Sequence, residues 1–179
     1  MSVKKKNSLQ NLEKHRYQGN HIIEKFVEGN HLLVKCLQPI LAILKEENYK
    51  EKICPFTDQI ALNLDKVEIL CKKGTIREKT VDFVVGLEKD WLLLVEVKLD
   101  VENMDNIVKC IKEKIEHSKV VLQSCENYIH CENSVVVLLN NNRFQERSNR
   151  LRRSLISINP HIKPYRVCDF YQQYFDKKP

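Results

Sequence analysis

The sequence contains few residues that interrupt regular secondary structure. Glycine and proline together account for only 9 of its 179 residues (4 Gly and 5 Pro), against an average of roughly 12%. Because turns and irregular loops depend on these two residue types, their scarcity excludes collagen-like and loop-rich chains. It predicts long helices and strands, and the length predicts one main domain.

The sequence also lacks a long apolar run. The longest runs, Leu92 to Val95 and Val135 to Leu139, fall far short of the roughly 18 residues needed to cross a bilayer. Residues 1–20 are basic and polar and contain no apolar stretch of the kind found in a secretory signal. The seven cysteines include no pair with CxxC spacing, which favours free thiols in a reducing compartment. We therefore expect no membrane partner and no secretion, and a cytoplasmic location (or a nucleoid or nuclear one).

Charge is present in both signs, with a moderate positive excess. The 30 Lys and Arg residues against 24 Asp and Glu residues give a formal net charge of +6, which permits an anionic partner without requiring one. Residues 1–18 include the run Lys4-Lys5-Lys6 and few apolar residues, so they predict a basic, mobile N-terminal tail. Residues 19–179 are expected to form a single domain.

The spacing of apolar residues predicts the order of the structural elements. Residues 20–47 have helical spacing, with breaks expected at Gly29-Asn30 and at Pro39. The remaining predicted elements are strands at 66–72, 80–87 and 91–98, a helix at 103–129, a strand at 134–140, a helix at 143–157, a strand at 165–168 and a helix at 169–175. This order predicts an α/β fold, on the border of α+β, in which helices flank a mixed central β-sheet.

Two acidic residues in the second and third predicted strands are unusual for a simple scaffold. If Glu88-Lys89-Asp90 forms the loop of a β-hairpin, Asp82 lies directly opposite Glu96, with Cβ atoms about 4.5–5.5 Å apart. Two carboxylates so close inside a sheet resist joint ionisation, and a divalent cation such as Mg²⁺ removes that conflict. Lys98 lies on the same face of the strand as Glu96. The alternative is a solvated strand end in which Asp82 caps a turn or pairs with Lys98 or Lys66.

These residues carry a resemblance to a known family. Val81-Asp82, followed by Leu93-Leu94-Val95-Glu96-Val97-Lys98, resembles the PD-(D/E)xK signature of the restriction-endonuclease-like superfamily, with Val in place of the Pro. The αβββαβ core order of that superfamily matches the predicted elements from about residue 20 to 140. The resemblance implies hydrolysis of phosphodiester bonds that depends on Mg²⁺ (or Mn²⁺). It assigns metal binding to Asp82 and Glu96 and catalysis to both of them together with Lys98.

Two further groups of residues complete the predicted site. Many members of the superfamily add a glutamate from the first helix, for which Glu24 is the best candidate and Glu28 the second. Five of the arginines lie within eleven residues, and three of them have the spacing of one helix face, so the group is a candidate for holding phosphates: Arg143, Arg147, Arg150, Arg152 and Arg153. The alternative is an ordinary solvated helix surface.

The sequence thus predicts a metal-dependent endonuclease whose partner is nucleic acid, with DNA favoured over RNA. A second interpretation is a protein with the same fold that binds nucleic acid or assembles with partners without cutting. A third is an unrelated mixed-sheet domain with a chance motif. The oligomeric state stays open, and a homodimer would supply the two sites that cleavage of both strands of a duplex commonly needs.

Overall fold

The computed structural model describes residues 15–71, 78–100, 104–124, 130–155 and 161–176. Within these ranges the chain is α/β, with seven helices and one open mixed sheet of six strands. The strands are β1 (Leu37–Pro39), β2 (Ile60–Asn63), β3 (Phe83–Leu87), β4 (Trp91–Lys98), β5 (His130–Leu139) and β6 (Ile162–Tyr165). The helices are α1 (His21–Val27), α2 (His31–Val34), α3 (Ile40–Glu46), α4 (Leu64–Cys71), α5 (Met104–Gln123), α6 (Phe144–Leu155) and α7 (Val167–Tyr174).

The strands lie side by side in chain order, from β1 at one edge of the sheet to β6 at the other. β1 to β4 are antiparallel neighbours, whereas β5 runs parallel to both β4 and β6. The predicted order of helix, three-stranded meander, helix and strand is present in α3, β2–β4, α5 and β5, with α4 inserted between β2 and β3. The C-terminal ends of β4, β5 and β6 therefore meet at one edge of the sheet, together with the start of β3.

Both faces of β4 are covered, as its uninterrupted apolar run predicts. Leu92 and Leu94 belong to a buried cluster that includes Ile111 of α5. Leu93 on the opposite face belongs to a second buried cluster, which includes Phe170 of α7. The sheet thus lies between two helical layers, and β4 is buried from Leu92 to Val97, including the polar residue Glu96.

α1 crosses β3 at Gly86, close to the turn between β3 and β4. A Cβ atom at position 86 would lie 2.8 Å from the backbone nitrogen of Ile23 and 3.0 Å from the Cβ of Ile22. Side chains larger than hydrogen would therefore force the helix away from the strand, which explains a glycine inside a buried strand. This contact fixes α1 to the turn end of the hairpin.

The segment predicted from sequence as a first strand is 66–72, but residues 66–71 belong to the helix α4, and residue 72 lies outside the described residues. The strand is β2, which lies in a stretch that the sequence pattern left unassigned. The side chain of Asn63 accepts the backbone N–H of Lys66 at 3.0 Å and so caps the start of the helix. The strand prediction is wrong because alternating apolar residues were given more weight than this capping residue.

Residues 15–18 pack on the body of the protein, although the sequence assigns them to a tail. The ring of His15 stacks on Trp91 with centroids 4.8 Å apart. Tyr17 donates its backbone N–H to a carbonyl of α7 at 3.0 Å. These contacts hold residues 15–18 against the domain. The rest of the predicted tail, residues 1–14, lies outside the described residues.

The other predicted elements are present with shifted ends, except that the strand predicted at 165–168 lies earlier in the chain. It is β6, Ile162–Tyr165, and Val167 and Cys168 belong to α7. β4 matches its prediction residue for residue, whereas β3 begins at Phe83 rather than at position 80. The predicted ends of two helices, 125–129 and 156–157, lie outside the described residues. The expected breaks after α1 and before α3 are confirmed: Gly29 has a φ of 81°, and Pro39 directly precedes α3.

Candidate active site

The β3–β4 hairpin has the register that the sequence predicts. A 3-10 turn at Glu88–Asp90 joins the two strands, and the last pair of the ladder is Phe83 with Val95. One further step of the same register places Asp82 beside Glu96. Both carboxylates are thus positioned by the backbone pairing of the hairpin, at the edge of the sheet where β4 and β5 end.

The structure brings the three predicted catalytic residues together. Asp82 is 7% exposed and Glu96 is 1% exposed, so neither is a solvated strand-end residue. The Nζ of Lys98 lies 2.7 Å from Glu96 Oε1 and 3.8 Å from Asp82 Oδ2. Asp82 Oδ2 also accepts the backbone N–H of Val97 at 2.5 Å, which holds the carboxylate against β4.

A second lysine, Lys114 of α5, joins this group. Its Nζ lies 2.7 Å from Glu96 Oε1, the same oxygen that Lys98 contacts. The other oxygen of Glu96, Oε2, is buried and has no hydrogen-bond partner within the described part of the chain. Buried carboxylate oxygens are normally paired, so this oxygen is open to a further positively charged ligand.

The electrostatics of the group depend on burial and on the neighbouring charges. Burial, together with the nearby Glu96 carboxylate, raises the pKa of Asp82 to about 7, although the neighbouring lysines act against this rise. Burial alone would lower the pKa of Lys98, but Glu96 and Asp82 outweigh burial and hold it above its ordinary value. Lys98 is therefore a fixed positive charge at neutral pH, whereas the pKa of Asp82 lies close to neutral pH.

A cavity of about 570 Å³ opens beside Glu96, one member of the carboxylate pair. Its walls include Glu96 and Lys98 from β4, Cys110 and Lys114 from α5, and Asp65 from α4. A group at the carboxylate pair is therefore reachable from outside through a space lined by both signs of charge. The positive side chains on its wall suit an anionic ligand such as a phosphate.

Glu47, directly after α3, is a further acid close to this group. Burial raises its pKa, Lys98 lowers it, and the nearby carboxylates of Asp65 and Glu96 raise it again. These couplings place Glu47 within electrostatic range of the carboxylate pair. Among the described residues of the first third of the chain, Glu47 is thus an acid whose charge is felt at the site.

Glu24, the candidate for an additional metal ligand, does not join the group. It lies on the exposed face of α1, and the next residue, Lys25, contacts Asp90 in the hairpin turn at 3.2 Å. The second candidate, Glu28, ends the same helix. α1 crosses β3 at Gly86, near the turn, so the helix meets the hairpin at the opposite end from the carboxylate pair.

The predicted phosphate-binding arginines lie on or next to α6. Arg147 is half-buried, and the other members of the group are exposed: Arg143, Arg150, Arg152 and Arg153. α6 begins shortly after β5, whose last residue pairs with Lys98, so the helix starts at the edge of the sheet that carries the carboxylates. Arg147 Nη1 donates to Asn140 Oδ1 at 3.1 Å, which ties this part of the helix to the end of β5.

Sequence reasoning missed Lys114 and Glu47. Lys114 follows the buried Ile111 by three positions, so it lies beside the apolar stripe of α5. That spacing is a signal, but the same helix contains other lysines, including Lys109, Lys112 and Lys119. Neither residue can be singled out without the packing of its helix against the sheet.

Within the part of the chain that the structure describes, no group of three or more His, Cys, Asp or Glu side chains is arranged to hold a metal ion. In the same described ranges, no helix combines the length and apolar character needed to cross a membrane. Comparison of the chain with protein-family models, with curated proteins and with solved structures gave no match. Functional inference therefore rests on the geometry of the site.

Proposed function

We propose that the protein is a Mg²⁺- or Mn²⁺-dependent nuclease with a restriction-endonuclease-like fold, which hydrolyses phosphodiester bonds in nucleic acid, with DNA favoured over RNA as the candidate substrate. The observation that carries this proposal is the convergence of Asp82, Glu96 and Lys98 at the open end of one hairpin. Two buried carboxylates and a lysine beside an accessible cavity are the groups that metal-assisted phosphodiester hydrolysis requires. The PD-(D/E)xK resemblance assigns these roles to the same three residues.

The carboxylate pair fits the preferences of a small divalent cation. Asp82 and Glu96 would hold the ion, since Mg²⁺ is commonly bound by one or two carboxylates together with water and substrate phosphate. The buried Glu96 Oε2, which has no hydrogen-bond partner within the described residues, is an oxygen that such a ligand would satisfy. When bound, Mg²⁺ would activate a water molecule and neutralise the charge that builds up on the phosphate.

Lys98 supplies positive charge that does not depend on the metal. Its raised pKa keeps it protonated at neutral pH, and its ammonium group lies on the wall of the cavity. A cation fixed in a partly buried site stabilises negative charge in the transition state more effectively than one in water. Its role is to hold the phosphate and to stabilise its developing charge.

The arginines of α6 would extend this positive surface. Arginine binds phosphate through several hydrogen bonds at once, and Arg147 is tied to the strand end next to Lys98 by its bond to Asn140. A nucleic-acid backbone bound at the start of α6 would therefore lie at the edge of the sheet that carries the carboxylate pair.

The direct test is cleavage of supercoiled plasmid, branched duplex and single-stranded DNA in Mg²⁺, in Mn²⁺ and in EDTA. We expect cleavage only with metal, and a loss of at least about 100-fold in rate for Asp82→Asn and Lys98→Met. Lys109→Met, an exposed lysine on α5, is the matched control and should keep the wild-type rate. Equal cleavage by wild type and both site variants would overturn the proposal.

One observation favours a second function, binding of nucleic acid without cleavage. Lys98 and Lys114 together carry two positive charges, which balance the two carboxylates in the absence of any metal. In that case the protein would bind DNA through α6, with an affinity that falls steeply with salt. Tight binding with no cleavage of any of the three substrates, in either metal, would support this function over the nuclease.

A further inference from the structure

Two ammonium groups contact one oxygen of a buried carboxylate. Lys98 Nζ and Lys114 Nζ each lie 2.7 Å from Glu96 Oε1, while Glu96 is only 1% exposed. Like charges brought so close together repel each other. The arrangement is tolerated because an ionised carboxylate removed from water needs compensating charge.

The pair of lysines supplies the charge of a divalent cation. Asp82, Glu96, Lys98 and Lys114 sum to zero when all four are ionised, and the contacts among them connect all four side chains. A divalent ion added to the complete set would leave an excess of two positive charges in a buried site. Its binding at Glu96 is therefore favoured if one ammonium group leaves.

Lys114 is the lysine that can leave. Lys98 belongs to the same strand as Glu96. Its ammonium group also donates to the carbonyl of Val97 at 2.7 Å and lies near Asp82, so it has partners besides Glu96. Lys114 instead reaches the carboxylate from α5 and lines the cavity of about 570 Å³. Its long side chain can swing into that space without any change in the β3–β4 hairpin.

We propose that Lys114 is a built-in competitor of the divalent metal ion at Glu96. In the metal-free protein Lys114 compensates the buried carboxylate, and it withdraws into the cavity when a divalent ion binds. This inference rests on the proposed function, because it concerns the metal site of the same nuclease. Compared with a site made only of Asp82, Glu96 and Lys98, the presence of Lys114 weakens metal binding. It also stabilises the metal-free protein.

The test is a titration of the metal-free protein with Mn²⁺ alone. Binding is measured by calorimetry and by the shift in melting temperature. The variants are Lys114→Met, which removes the charge and keeps the length, and Lys114→Gln, which keeps a hydrogen-bond donor. We expect both to bind Mn²⁺ at least about tenfold more tightly than wild type, with lower melting temperatures before metal is added. Lys109→Met, on the same helix, should match wild type in both measurements.

Asp82→Asn identifies where the metal binds and should abolish Mn²⁺ binding. Tighter binding by the Lys114 variants, combined with loss of binding in Asp82→Asn, supports the competition. Unchanged or weaker binding by both Lys114 variants overturns it, and if Asp82→Asn still abolishes binding the metal site itself stands. If a Lys114 variant still binds Mn²⁺ more tightly than wild type when Asp82 is also replaced by Asn, the ion lies elsewhere. That result also overturns the inference.

The failure of the proposed function would look different. In that case neither the wild type nor either Lys114 variant would bind Mn²⁺, and both inferences would fall together. Binding by the Lys114 variants in the absence of measurable binding by wild type would be the strongest form of the competition. Lys114→Gln keeps the measurement decisive if Lys114→Met does not fold.

Discussion

The Asp82 carboxylate accepts the backbone N–H of Val97 at 2.5 Å, across the open end of the β3–β4 hairpin. The bond continues the pairing of the two strands one step beyond their ladder, with a side chain taking the place of a backbone carbonyl. Because the N–H belongs to the residue between Glu96 and Lys98, it fixes Asp82 against both. The geometry of the site is thus set by strand pairing, which local sequence determines.

The raised pKa of Asp82 predicts how stability depends on pH. Its pKa is about 7 in the folded protein and 3.8 in a free side chain, so the folded state binds the extra proton between those values. The free energy of unfolding therefore falls as pH rises from about 4 to about 7, and this contribution is constant above that range. Asp82→Asn removes this pH dependence. As pH rises from 4 to 8, the free energy of unfolding of the variant should therefore increase by roughly 1–3 kcal/mol relative to that of wild type.

Denaturant unfolding of wild type and Asp82→Asn at a series of pH values measures this difference. Asp90→Asn, an exposed residue of the hairpin turn, is the control and should follow wild type at each pH. A difference between wild type and Asp82→Asn that stays constant from pH 4 to pH 8 would contradict a raised pKa.

Ser118 predicts a second effect on stability. Its hydroxyl accepts the backbone N–H of Val81 at 2.9 Å and donates to the carbonyl of Lys114 at 2.7 Å, and the residue is fully buried. Ser118→Ala leaves a buried N–H without a partner and should lower the free energy of unfolding by about 1–3 kcal/mol. Ser124→Ala, near the exposed end of the same helix, should change it by less than about 0.5 kcal/mol. Equal losses in the two variants would show that the link from α5 to Val81 does not stabilise the fold.

Glu47 and Glu24 should differ in their effect on metal binding. Glu47 is coupled to the charges of the site, so Glu47→Gln should weaken Mn²⁺ binding by about three- to tenfold by removing nearby negative charge. Glu24→Gln, close to the hairpin turn, should leave the affinity unchanged. Calorimetric titration of both variants measures this, and a larger effect at Glu24 would contradict the placement of α1.

The arginines on α6 predict a salt-dependent interaction with DNA. Replacement of Arg143, Arg147 and Arg150 by Glu should reduce affinity at least about 100-fold and flatten the plot of log affinity against log salt, since phosphate contacts release counterions. The measurement is fluorescence anisotropy with labelled duplex at several salt concentrations. A matched control with the same charge change replaces three exposed lysines by Glu: Lys25, Lys35 and Lys89. If both triple variants lose affinity equally, net charge explains the binding and α6 does not.

Local patterns predicted the central part of the fold. The apolar run of β4 predicted burial on both faces, and the length of the polar connection predicted the register that pairs Leu87 with Trp91. α4 was missed because its alternating apolar residues also suit a strand, and the capping role of Asn63 outweighs that pattern. The pairing of β1 with β2 joins segments more than twenty residues apart, which no short-range pattern determines.

The same distinction applies to the site. Asp82, Glu96 and Lys98 could be placed because one hairpin carries all three, and hairpin register follows from the turn. Lys114 lies on α5 and Glu47 directly follows α3, and the approach of both helices to the sheet depends on packing over the whole chain. Glu24 was chosen by its position in the first helix, but the close contact at Gly86 directs that helix to the turn end instead.

The packing of His15 on Trp91 gives the protein a natural optical probe. Trp91 is the single tryptophan in the sequence, and its indole ring lies 4.8 Å from the ring of His15 and 5.3 Å from that of His130. Its emission therefore responds to release of the segment that contains His15. Because Trp91 lies at the turn end of the hairpin and Asp82 at the other end, fluorescence can follow one end while metal titrations follow the other.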